Sequence, residues 1–244
     1  MDTFNDIGID NKLDWNRIRH LMVIGLFSGF LVLIGDMLIG WGVSNSNLSG
    51  MEKFYSYYSS ITDSRIFWSS LLGFIGIPLE GICYFSIYRL ISPYSNKYAH
   101  MFRSGVLGYI AFGGCGVHVP CIVLAFLYKY ASEVSPDTSV NITNKFLTFF
   151  LLPGAIVFSI FLLVQSIAHI LAFSKGLTPY PKWCWIFSLP VGMFGTILIK
   201  FIDLIKEYAF INSFTTGWIS IGNIWMFGGL LLLMNKTKNN SIKI

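Results

Sequence analysis

Residues 19–41 read RHLMVIGLFSGFLVLIGDMLIGW, and the single carboxylate in this stretch is Asp36. A helix needs about 20 apolar residues to cross about 30 Å of hydrocarbon. Inside lipid the backbone has no water to bond, so a segment of this kind must satisfy its own N–H and C=O groups by coiling into a helix. Five more runs follow, at Ile66–Ile91, Phe102–Lys129, Lys145–Phe173, Trp183–Lys200 and Ser213–Met234. A membrane barrel would show short alternating segments instead. The pattern predicts an all-α polytopic bundle of about six spans, forming one membrane domain over residues 1–244. The first run follows 18 residues, is too long for the core of a signal peptide and lacks a small-residue cleavage site, so it reads as an uncleaved span.

Composition agrees. Hydrophobic residues make up 54% of the chain and charged ones 12%, too few to keep a soluble domain of this size dissolved. Mean hydropathy is +0.63. The net charge of +5 would raise nucleic acid as a partner of a soluble protein. Here the basic residues stand in short loops beside apolar runs, so topology accounts for them and no nucleic-acid partner is expected. Cys83, Cys115, Cys121 and Cys184 all fall in apolar runs without a CxxC pair, which excludes a zinc or disulfide framework.

Orientation follows from Lys and Arg. Of 17 such residues, Lys53, Arg65, Lys129, Lys145, Lys200 and Lys206 fall on one side and the other 11 on the opposite side with both termini. The richer side faces the cytoplasm. The longest loops, Gly42–Arg65 and Tyr130–Asn144, then face outward. The first, with its Phe54-Tyr55-Ser56-Tyr57-Tyr58 run, is polar enough not to span and aromatic enough to lie in the interface. Lys200, Asp203, Lys206 and Glu207 are expected to form an outer charge cluster.

Four polar residues stand out inside spans: Asp36, Glu80, His118 and Asn223. A charge at mid-bilayer costs roughly 2.5–3.5 kcal/mol on insertion scales, so each needs a reason to be there. At helical spacing Asp36 shares a face with Gly25, Gly29 and Gly40, and Glu80 with Ser69, Gly73 and Gly76. His118 shares one with Ser104, Gly108, Gly114, Cys115 and Cys121, and Asn223 with Thr216 and Ser220. Small residues let membrane helices approach closely, so all four should point into the bundle. Together they are candidates to line a ligand cavity, with Glu80 and His118 as a proton-handling pair. Pro78 and Pro153 interrupt two spans and should bend them. Gln165 and His169, one turn apart, read as structural hydrogen-bonding groups. No HxxxH, HExxH or HxxE pattern is present, so no metal site or cofactor is expected.

The segment Leu33-Ile34-Gly35-Asp36-Met37-Leu38-Ile39-Gly40-Trp41, the Ser/Asn-rich loop after it and the Gly73…Pro78…Glu80-Gly81 span resemble an uncharacterised family of bacterial integral membrane proteins of similar length. The resemblance implies a multi-pass protein of the bacterial inner membrane and no particular activity. Metal-dependent ceramidase-like hydrolases need several histidines that are absent. Sterol isomerases of the emopamil-binding type share only an intramembrane Glu and an Asn-x-Trp. Three functions follow from the residues. The first is binding or passage of a small molecule, ion or lipid through a polar cavity. The second is an intramembrane enzyme acting on a lipid or isoprenoid through Glu80 and His118. The third is a structural or partner-binding protein. The small-residue faces leave homo-oligomerisation open.

Overall fold

The computed structural model describes residues 13–200 and 209–241. The expected cluster of Asp203, Lys206, Glu207 and the Lys200 side chain lies outside the described residues, as do Lys12 and Lys243. Every element described is helical, and five helices are long and apolar enough to cross a membrane.

Helix α1 (Trp15–Gly40) carries the opening stretch. Asp14 starts it by accepting a hydrogen bond from the Arg17 amide at 3.0 Å, which satisfies one of the free N–H groups of the first turn. Beyond it, a short helix α2 (Gly50–Ser56) and a 3-10 turn (Tyr57–Ser60) lead to α3 (Asp63–Cys83), extended by α4 (Phe85–Ile91). Helix α3 packs antiparallel on α1. Gly35 lies against Ser69 and Leu72, Gly76 against Val32, and Gly25 against Cys83. The Ser28 hydroxyl donates to the Gly76 carbonyl at 2.8 Å across this contact.

Helix α5 (Asn96–Phe112) widens into a π-type segment (Gly113–His118) before α6 (Val119–Val134). Helix α7 (Pro136–Phe146) leads through a second π-type segment (Leu147–Leu151) into α8 (Leu152–Ser174). Both widenings have one local cause. Pro120 and Pro153 lack an N–H, and each ring crowds the carbonyl four residues earlier. Those carbonyls belong to Gly116 and Phe149, inside the two widened segments. The two interruptions face each other where Gly116 meets Gly154, too close for a Cβ on Gly154.

A 3-10 segment (Lys182–Phe187), α9 (Leu189–Lys200), α10 (Ala209–Thr216) and α11 (Trp218–Ser241) complete the chain. Helix α11 runs antiparallel to α1. Gly40 meets Thr216, Gly29 meets Ile224, and Gly25 meets Phe227. The start of α1 and the end of α11 therefore share one end of the bundle.

The structure departs from the sequence reading in three places. The fifth run is not one helix, since the chain is extended at Ser188 and restarts at Leu189-Pro190. Its described α-helix is 12 residues, about 18 Å at 1.5 Å per residue. Tyr180, beside Trp15, and Thr216, beside Gly40, still place the two ends of this region at opposite ends of α1. The Tyr130–Asn144 loop is mostly helical. Ser135 breaks the helix and caps α7, accepting from the Thr138 amide, with Pro136 in the first turn. In the Gly42–Arg65 loop, Tyr55, Tyr58 and Ile61 are buried against Tyr128 rather than laid out toward an interface. The Tyr55 hydroxyl donates to Asn144 Oδ1 at 2.8 Å, tying the two long connections together.

Candidate functional site

Asp36 lies one turn before the end of α1. Its Oδ1 is 3.4 Å from His118 Nδ1, and its Oδ2 accepts from the Ser220 hydroxyl of α11 at 2.8 Å. His118 ends the widened segment after α5, and its Nε2 is 3.1 Å from the Ser69 carbonyl of α3. A carbonyl can only accept, so Nε2 carries a proton. The other nitrogen faces Asp36. Both ring nitrogens are thus engaged, and one imidazole joins α1, α3 and the α5–α6 break. Gly73 makes room for it, because a Cβ there would fall 1.8 Å from His118 Nε2.

Deeper in the bundle Glu80 is fully buried. Its Oε2 accepts from the Tyr109 hydroxyl at 2.6 Å. Asn223 Nδ2 donates to the Tyr109 oxygen at 3.2 Å, and the Tyr84 hydroxyl donates to Asn223 Oδ1. Every bond in this series runs toward Glu80, and bonds in such a chain polarise one another. Glu80 Oε1 has no partner among the described residues. It faces α1 at Gly29, where a Cβ would stand 3.6 Å away.

The two groups meet at a cavity of about 160 Å³. Asp36, His118, Ser220 and Tyr109 line it with apolar neighbours such as Val32 and Phe158. At about 30 Å³ per water, that is room for roughly five waters. Glu80 and Asn223 do not line the cavity and connect to it through Tyr109. The four sequence candidates therefore form two pairs, Asp36 with His118 and Glu80 with Asn223. Glu80 and His118 share no hydrogen bond.

Tyr84, Tyr109 and the Ser69 carbonyl were not singled out by sequence. Tyr84 stands four residues after Glu80, one turn along the same face, and that spacing was the available signal. Beyond Tyr84 the buried Gln165 amide faces its hydroxyl. His169 packs its ring between Phe102 and Phe173. Among the described residues no three His, Cys, Asp or Glu side chains are grouped to hold a metal.

A family model described as a family of unknown function, DUF6796, matches residues 4–237. The chain belongs to the DUF6796 family. No curated protein matches it, and no solved structure does. The DUF6796 match includes every residue of both polar groups and of the cavity wall. What it establishes is a multi-span membrane protein of a family without an assigned activity.

Proposed function

We propose that this DUF6796 protein binds, or passes across the membrane, a small molecule or ion in the cavity between Asp36, His118, Ser220 and Tyr109. One observation carries the reading. The Asp36–His118 contact and the buried Glu80 hydrogen-bond network approach the same void from separate helices, although either could have been packed dry. On the cavity wall one carboxylate, Asp36, stands beside one imidazole, and the described wall holds no Lys or Arg. That balance favours a cationic or neutral hydrogen-bonding ligand and opposes an anion. The cavity sits at the end of the bundle formed by Gly40 and Thr216. With 11 of 17 basic residues on the opposite side, we read the chain as a protein of the bacterial inner membrane with both termini in the cytoplasm and the cavity in the outer half. The segment containing α9 then makes the sixth crossing.

The test is thermal unfolding of the full chain in nanodiscs with propylamine, propanol or acetate. Propylamine should raise the midpoint with the logarithm of its concentration above Kd, the added stability reaching about 2.7 kcal/mol at a hundred times its Kd. Asp36→Asn should remove the effect, and acetate should have none. Absence of any such shift with all three probes rejects the reading.

The enzymatic alternative has weaker support. Glu80 lies behind Tyr109 with its free Oε1 turned toward Gly29 of α1, and both His118 ring nitrogens are engaged, so neither offers a free atom to a substrate in the cavity. The purely structural alternative predicts that Glu80→Gln alters stability alone.

A further inference from the structure

The cavity has a neighbour. An open groove of about 480 Å³ is lined by Phe54, Tyr57, Ile197, Thr215, Thr216 and Trp218. Thr216 and Trp218 also line the cavity. The two voids therefore share one wall, and that wall is the break between α10 and α11. At the break stands Gly217, whose missing Cβ leaves Asp36 Oδ2 and Leu33 within contact distance of the backbone. The partition between groove and carboxylate is a single turn of chain.

The groove and the cavity differ in chemistry. The groove is aromatic and aliphatic, and Phe54 and Trp218 are 53% and 39% exposed along it. It lies at the Gly40 end of the bundle, where Trp41 packs on Phe210 and Trp218 is exposed, residues of the kind that favour the edge of a bilayer. The cavity presents one carboxylate, Asp36, with the His118 imidazole and the Ser220 hydroxyl, and its described wall holds no Lys or Arg. An occupant of both would place an alkyl chain in the groove and a small cation beside Asp36.

We propose that the ligand is a single-chain amphiphile with an ammonium head, entering sideways from the outer leaflet past Thr216 and Trp218. This rests on the cavity being a binding site, as proposed above. The chain stays against Phe54, Tyr57 and Ile197, and the head passes the α10–α11 break to the Asp36–Ser220 side of the cavity. Affinity then grows with chain length, because each methylene held in the groove leaves water or interface.

Full-length protein in phosphatidylcholine nanodiscs is titrated with terminally brominated octylamine, its brominated alcohol counterpart, and propylamine. Quenching of tryptophan emission reads the brominated probes, with Trp218→Phe identifying the Trp218 share. Displacement of brominated octylamine reads propylamine. The expected result is saturable quenching by the long amine, at least tenfold tighter than propylamine or the alcohol, and lost in Asp36→Asn. Ile197→Trp, which fills the groove from a position that does not line the cavity, should weaken the long amine about tenfold and leave propylamine unchanged in thermal stabilisation. Ser220→Ala serves in place of Asp36→Asn if the latter does not yield folded protein. Equal affinity of long and short amines, or no effect of Ile197→Trp, overturns sideways entry and leaves the cavity reading standing. Equal binding of alcohol and amine overturns the ammonium head. Binding of the alcohol alone overturns this proposal and leaves the cavity reading standing, and failure of the amines and the alcohol together overturns both.

Discussion

Gly73→Ala should be among the most damaging single methyl additions in the protein, and its cost measures how firmly His118 is held. The added Cβ would lie 1.8, 2.1 and 2.7 Å from three atoms of the His118 ring. A free imidazole could swing aside cheaply. This one is fastened at Nε2 to the Ser69 carbonyl and at Nδ1 to Asp36, so moving it breaks both contacts. Two bonds at about 0.5–1.5 kcal/mol each, with about 1–3 kcal/mol for overpacking, give a loss of roughly 2–6 kcal/mol. At about 2–4 °C per kcal/mol for a chain of this size, that is a midpoint lower by about 4–24 °C. Gly195→Ala on α9 is the control, since nothing stands within 4 Å of its Cβ, and it should gain up to about 1 kcal/mol from helix propensity. Thermal unfolding of both variants in the same nanodiscs makes the comparison. Adding His118→Ala to Gly73→Ala should relieve most of the loss, because the colliding ring is gone. A Gly73→Ala midpoint equal to that of Gly195→Ala, or additive behaviour with His118→Ala, would refute the placement of His118 over α3.

Three further outcomes are expected. Tyr109→Phe removes the donor to Glu80 Oε2 and should cost about 1–3 kcal/mol. A thermal double-mutant cycle with Glu80→Gln should show coupling, and strict additivity would separate the two groups. Tyr55→Phe cuts the bond to Asn144 that joins the two outer connections, for a loss of about 1 kcal/mol, with faster proteolysis between residues 42 and 62 as a second readout. Burial pushes the Tyr57 hydroxyl up from 10.0 to about 12. The unfolded chain therefore ionises first. The stability this tyrosine contributes is intact below pH 10 and is lost as pH rises toward 12. Tyr57→Phe should flatten stability over that interval, and identical alkaline profiles for the two proteins would count against the half-buried position of its hydroxyl.

The sequence was informative wherever a residue was expensive in its setting. Asp36, Glu80, His118 and Asn223 are polar groups in apolar runs, and all four are turned inward, from fully buried to 18% exposed at Asp36. The glycines opposite them were legible for the same reason, since close approach of helices needs small residues. Tyr84 and Tyr109 carry no such signal. A tyrosine costs little at an interface or in a core, so nothing in the order of residues separates one that donates to a buried carboxylate from one that does not. The capping of α7 by Ser135 was legible in principle, because Ser-Pro-Asp is a helix-start signature. It was hidden by the polarity of the residues that follow. The break at Ser188 was hidden in the opposite way, by apolar neighbours that extended the run through a proline at position 190.

The partners of His118 could not have been read from spacing, and the reason is geometric. At 3.6 residues per turn His118 belongs to the face of Gly108, Gly114 and Cys115. In the structure Gly105 and Gly108 face α8, meeting Gln165 and Phe161, whereas His118 faces α3 at Gly73. Cys115 is exposed. A π-type segment inserts one residue into the helix, which turns everything beyond it by about 100° relative to the residues before. The segment at Gly113–His118 supplies that turn, and the one side chain at its end that could use it is the imidazole. Pro120 forces the widening, and the glycines at 113, 114 and 116 make it sterically cheap. One helix thus packs on α8 with its first half and delivers a ring to α1 and α3 with its second. A regular helix would leave Asp36 facing a void with no imidazole to meet it.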